Sequence, residues 1–181
     1  MLRCCWRTLW LLLPLSLAAE PAWLDTARSY IGVREVAPNR GPEIDRWNRF
    51  VGAPLGSPYC AAFVSYCLAR GDARRPTVRS AVALRFRIEG WSRPATMVRP
   101  EEVAPGWILV WRRGSTWQGH VGFAERAGRQ GVWTVEANTT PGRSTPQRER
   151  EGDGVFRRWR DWQRNVFAGN AFRLIAVTPV E

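Results

Sequence analysis

The stretch Gly119-His120-Val121-Gly122-Phe123-Ala124, followed by Val132-Trp133-Thr134-Val135-Glu136-Ala137-Asn138, has the two-residue period of strands. Alternation places Gly122 and Ala124 on the His120 face and turns Val121 and Phe123 to the opposite face, into a core. Small residues beside the imidazole leave room for a substrate. In the second strand Glu136 and Asn138 share a face, with Val135 and Ala137 opposite. Outward from this pair, Trp107 to Trp111, Val155 to Trp159 and Phe172 to Val177 are also short, rich in β-branched and aromatic residues, and set off by turns. The pattern predicts an antiparallel meander of about five strands.

The chain before Trp107 has a helical period. Leu24, Ala27 and Ile31 form a stripe within Trp23 to Ile31; Ile44, Trp47, Phe50 and Val51 form another, introduced by Pro42 and closed by Gly52. A third helix is expected with Ser57 as N-cap and Pro58 at its first position, ending before Gly71, and a short fourth from Ser80 to Phe86. Helices first and sheet afterwards define an α+β class, with N-terminal helices packed on a C-terminal sheet. Residues 19–181 are read as one domain without repeats or linkers. The polar stretch from Thr139 to Gly154 reads as a loop between strands.

Residues 1–18 have the form of a cleaved export signal: Arg3 and Arg7, an apolar run from Leu9 to Leu17, then Ser16-Leu17-Ala18, with Ala19 an equally good boundary. The alternative is a membrane anchor, but the run is about half the roughly 20 residues needed to span a bilayer. The expected location is periplasmic or extracellular. Cleavage removes Cys4 and Cys5. Cys60 and Cys67, on one helix, would have Cα atoms about 10 Å apart, beyond the roughly 7 Å reach of a disulfide, so Cys60 is expected as a free thiol.

The net charge is +11, and all 27 basic side chains are arginine. Loss of Arg3 and Arg7 leaves 25 against 16 acidic groups, or +9. Outside the cytoplasm such a charge suits anionic envelope polymers rather than nucleic acid, although an arginine-rich soluble surface is an equal reading. The expected state is a monomer, with no membrane-spanning segment after cleavage.

The single histidine means that any histidine-based mechanism must use His120. Cys60, in the first turn of its helix, meets unsatisfied N–H groups and the positive end of the helix dipole, which favour a thiolate and offer an oxyanion hole. Cys67, deeper in the helix, reads as structural. Glu136 is placed to fix the imidazole tautomer, and Asn138 to hold the substrate or the ring. Tyr59, beside the thiol, and Trp117, ahead of the histidine, are the candidate substrate-binding residues. A zinc site from Cys60, His120 and Glu136 lacks paired ligand spacing, and no cofactor or metal motif is expected.

Four motifs occur in a familiar order: Pro58-Tyr59-Cys60-Ala61-Ala62-Phe63-Val64, Pro105-Gly106 before a strand ending in Trp111, Gly119-His120-Val121-Gly122-Phe123, and Thr134-Val135-Glu136-Ala137-Asn138-Thr139. This order resembles the CHAP family of cysteine, histidine-dependent amidohydrolases and peptidases, related to NlpC/P60 and papain-like enzymes. The likeness runs from about Trp23 to Trp159 and extends to Arg150-Glu151-Gly152-Asp153-Gly154-Val155. It implies a papain-like fold and hydrolysis of amide bonds in bacterial peptidoglycan, as an amidase or endopeptidase. Cys60 would be the nucleophile, His120 the base, Glu136 the orienting carboxylate and Asn138 the fourth polar member. Trp107 stands where many relatives have Asp, and Tyr59 where others have Gln or Trp, leaving a second oxyanion donor unassigned. No separate wall-binding domain is read. The alternative from another class is a non-catalytic cationic module that binds peptidoglycan or lipopolysaccharide through arginine and tryptophan.

Overall fold

The computed structural model describes residues 20–141, 152–162, 166–167 and 172–181. The expected signal segment and most of the loop between Thr139 and Gly154 lie outside the described residues. The fold is α+β. Three helices, α1 (Ala22–Ser29), α2 (Pro42–Phe50) and α3 (Cys60–Arg70), precede a seven-stranded antiparallel sheet. Its strands are β1 (Arg93–Pro94), β2 (Ile108–Arg113), β3 (Gly119–Ala127), β4 (Gly131–Thr139), β5 (Gly154–Asp161), β6 (Val166–Phe167) and β7 (Phe172–Thr178).

All five expected strands form, joined by the two-residue strands β1 and β6. The meander holds from β2 to β5 but not beyond. The order is β1-β7-β2-β3-β4-β5, so β7 returns to pair with β2 instead of extending the sheet beside β5. In place of the expected fourth helix, only Ala83–Phe86 forms a 3₁₀ turn.

The helices cover one face of the sheet. Leu24, Ala27, Ile44, Trp47, Phe63, Val64 and Cys67 pack with Val110, Val121, Phe123, Val135, Ala137 and Ala176 in one buried cluster. Val121 and Phe123 therefore point as their alternation predicts. Leu109, Trp111, Ala124, Val132, Leu174 and Val177 form a second cluster with Val103, against which Ala95, Val98 and Trp107 pack. The sheet is thus apolar on both faces, and the polar side chains that interrupt its faces need specific partners. Among the described residues, no helix is long and apolar enough to cross a membrane.

Two features fix α3. Asn48 of α2 donates through Nδ2 to the Ser57 carbonyl at 3.1 Å, tying the approach to the helix. At the other end, Gly71 caps α3 and lies so close to α1 that a Cβ there would sit 2.2 Å from the Trp23 backbone nitrogen. A backbone neighbour has little freedom to yield. Gly71→Ala is expected to lower stability by about 3 kcal/mol and the thermal midpoint by roughly 6–12 °C, measured by calorimetric or spectroscopic melting; an unchanged midpoint would contradict the close approach.

Candidate active site

Helix α3 starts at Cys60 itself. Ser57 and Pro58, expected as N-cap and first helical residue, instead belong to a preceding turn in which the Ser57 N–H donates to the Pro54 carbonyl at 3.2 Å. Tyr59 becomes the cap, and its carbonyl accepts the first helical bond from Phe63 at 2.9 Å. The thiol thus lies closer to the helix end than predicted, where the first N–H groups have no partner within the helix.

Cys60 is 6% exposed and faces a cavity of about 510 Å³ whose walls include His120, Asn138, Trp117 and Arg113. Its side chain lies within interaction range of the His120 imidazole and favours the protonated ring. The imidazole Nε2 lies 2.9 Å from Glu136 Oε2, leaving Nδ1 for the sulfur. Strand register creates this contact, because Gly122 is the partner of Glu136 across β3 and β4. A Cβ on Gly122 would lie 2.6 Å from Glu136 Cγ. Gly122 therefore makes room for the carboxylate stem, not for a substrate as strand alternation alone suggests.

Glu136 is fully buried and held from three sides. Arg160 on β5 donates from Nε to Oε1 at 2.8 Å and from Nη2 to Oε2, while Thr134 donates from its hydroxyl to Oε1 at 2.6 Å. Beneath them the Trp111 ring lies 5.7 Å from the imidazole centroid and 5.7 Å from the Arg160 guanidinium carbon. Neither Arg160 nor Thr134 stands out in the sequence. The available signal is alternation in β5: Arg158 and Arg160 share a face across from Thr134 and Val132, yet a strand rich in arginine reads as a solvated surface.

Asn138 also borders the cavity. It has φ of 55° at a register shift between Ala137 and Thr139, a bulge that re-aims its side chain. Among the described residues it has no hydrogen bond to His120. Trp117 stands at the cavity mouth and is 76% exposed. Tyr59 is placed differently: its side chain is fully buried, its ring centroid 5.9 Å from that of Trp47 and its hydroxyl near Glu35, outside the cavity. Of the six residues named from sequence, five border the cavity or reach it through a partner, and Tyr59 supports the helix start from behind. Among the described residues no group of three His, Cys, Asp or Glu side chains is arranged to hold a metal ion.

The site's electrostatics follow from these contacts. Burial alone would lower the His120 pKa, but its hydrogen bonds and charge interactions with Cys60 and Glu136 outweigh that and raise it from 6.5 to about 9. For Glu136 burial acts upward, yet the Arg160 charge and the hydrogen bonds from Arg160 and His120 hold it well below the usual carboxylate range. At neutral pH the ring is an imidazolium donating its Nε2 proton to a carboxylate. A raised histidine pKa adds stability that is complete below about 6.5 and is lost as pH rises through about 9; the depressed Glu136 adds stability present above 4.5 and lost on acidification. Because His120 is the only histidine, one imidazole resonance in an NMR titration reports the site. Its midpoint is expected near 9 and should move down in Glu136→Gln, whereas equal midpoints in the two proteins would refute the coupling.

The same residues lie within the part of the chain that matches a known family. Residues 52–138 fit the model of the CHAP domain, spanning Cys60, His120, Glu136 and Asn138 while leaving Arg160 beyond the matched segment. No curated protein and no solved structure gave a significant match. Residues 52–138 are thus a segment of the CHAP family, which is one of cysteine, histidine-dependent hydrolases.

Proposed function

We propose that the protein is an exported thiol hydrolase that cleaves amide bonds of bacterial peptidoglycan through an acyl-enzyme on Cys60. The observation that carries this reading is the hydrogen-bonded series His120, Glu136, Arg160, whose imidazole end shares with the Cys60 thiol the wall of a cavity large enough for a peptide segment. The family match supports amide hydrolysis, and the +11 charge suits an anionic wall. Residues 1–18 support action outside the cytoplasm.

In this mechanism the Cys60 thiolate attacks the amide carbonyl carbon, and the oxyanion is stabilised by unsatisfied N–H groups at the start of α3, that of Cys60 included. The imidazolium of His120 gives its Nδ1 proton to the leaving amine as the C–N bond breaks, leaving a thioester. Neutral His120 then takes a proton from water as its oxygen attacks the thioester carbon. Collapse expels the thiolate, releases the acid product and restores the ion pair. Glu136 stabilises the imidazolium and fixes the ring, and Arg160 keeps Glu136 anionic. Asn138 and Trp117 contact substrate. Cys67 takes no part, since burial pushes its thiol well above the usual range.

Digestion of purified peptidoglycan, followed by mass spectrometry of released fragments, tests the reading. The wild-type chain should release products with a new amine terminus, and Cys60→Ala and His120→Ala should lose at least about 10³-fold in rate while still binding the wall. Intact peptidoglycan with retained binding would favour the cationic binding module. Since acylation needs the imidazolium, kcat/KM should fall as pH rises through about 9, and a flat profile to pH 10 would contradict the assigned proton donor.

A further inference from the structure

The cavity holds a cation that the mechanism does not use. Arg113, the last residue of β2, lines it together with Cys60 and His120, yet among the described residues it forms no ion pair with a carboxylate. Its one side-chain hydrogen bond among them is neutral: Nη1 donates to Gln118 Oε1 at 2.8 Å. A guanidinium has five N–H donors, so this bond orients the group and leaves most of its donors available. No Asp or Glu is among the described residues lining the cavity, while His120 adds a second cation to its wall.

The hairpin is built to hold Arg113 in place. The Arg113 backbone N–H donates to the Gln118 carbonyl at 2.9 Å, and the Arg113 carbonyl accepts both the Thr116 N–H at 3.0 Å and the Thr116 hydroxyl at 2.7 Å. Gly114 takes φ of 49°, the left-handed conformation that lets this tight turn close. Fixed donors on a cavity wall match the two oxygens of a carboxylate. The exposed Trp117 indole lies on the same hairpin.

We infer that Arg113 is a specificity-determining residue that binds a free carboxylate on the substrate beside the amide to be cut. This rests on the hydrolase reading and narrows it to substrates that are themselves anionic next to the scissile bond. Wall stem peptides carry such carboxylates, and in some walls these are converted to carboxamides, which accept one fewer charge-assisted bond and have no charge.

Two synthetic stem peptides, one with the D-glutamyl α-carboxylate free and one with it amidated, provide the test. Binding is measured by calorimetry to the full chain carrying Cys60→Ala, so that turnover does not interfere. The acid should bind about 10- to 100-fold more tightly than the amide, and adding Arg113→Gln should remove that ratio with little effect on the amide's affinity. Equal affinities for the two peptides, or a preference that survives Arg113→Gln, would overturn the inference. Turnover is then measured with Cys60 intact. Arg113→Gln should raise KM for the acid peptide with kcat nearly unchanged. Peptides bound with the expected preference but never cut would sink the hydrolase reading and leave the carboxylate site standing.

Discussion

The buried ion pair between Glu136 and Arg160 sets the state of everything in front of it. A carboxylate with no exposed surface would ordinarily hold its proton, and a neutral acid cannot stabilise a cation beside it. Arg160 removes that option by meeting both carboxylate oxygens. Glu136 then remains charged, His120 gains a partner for its protonated form, and the ring's second nitrogen is left for Cys60. Charge alternates in sign from Arg160 through Glu136 to the imidazolium of His120. Truncating either member of a buried pair leaves the other uncompensated, so the pair is better described as a requirement of the site than as a source of net stability.

Strand register is how the sheet meets that requirement. His120, Glu136 and Arg160 stand on three consecutive strands, and each pairing brings the next side chain within reach only because the pleat turns all three to one face. A slip of one residue would place Val135 or Trp159 where a charge is needed. Gly122 is the matching concession: its missing Cβ is the space occupied by the Glu136 stem. Trp111, paired with His120 across β2 and β3, closes the set from below. The catalytic proposal therefore depends on the middle of the sheet, and α3 is the element brought to it.

Much of this arrangement is legible in the amino-acid sequence, and the gaps have physical causes. The two-residue period locates the strands and sorts Val121 and Phe123 from His120 because alternation is a local property of extended chain. The pairing of β7 with β2 is non-local, and no period reports which strands meet. Simple parity assigns Asn138 to the Glu136 face, but parity does not describe a bulge with a left-handed residue. The helix starts later than its cap signal suggests because Ser57-Pro58 carries the chemistry of a cap, yet the turn from Pro54 and the bond from Asn48 hold that segment outside the helix. Arg160 is hidden by its residue type, since an arginine is usually solvated and is buried when a partner elsewhere in the chain makes it so. The same applies to Arg158, which is buried and bonded to the Thr140 carbonyl; part of the chain's positive charge is structural and unavailable to an anionic wall.

Cys60 and Cys67 provide an internal comparison of what the fold contributes to the proposed chemistry. Both are free, both are buried, and both lie on α3. Cys67 sits two turns into the helix, where its backbone takes part in the helical ladder and the surrounding side chains are apolar; there burial alone acts, and it keeps the thiol protonated. Cys60 occupies the one position of the helix that faces free N–H groups, an imidazolium backed by a carboxylate, and a cavity wall. Residue type is identical, so any difference in reactivity derives from position. That position is itself a product of where the helix begins: a start two residues earlier, at Pro58, would leave Cys60 in the first turn but set the sulfur back from the helix end.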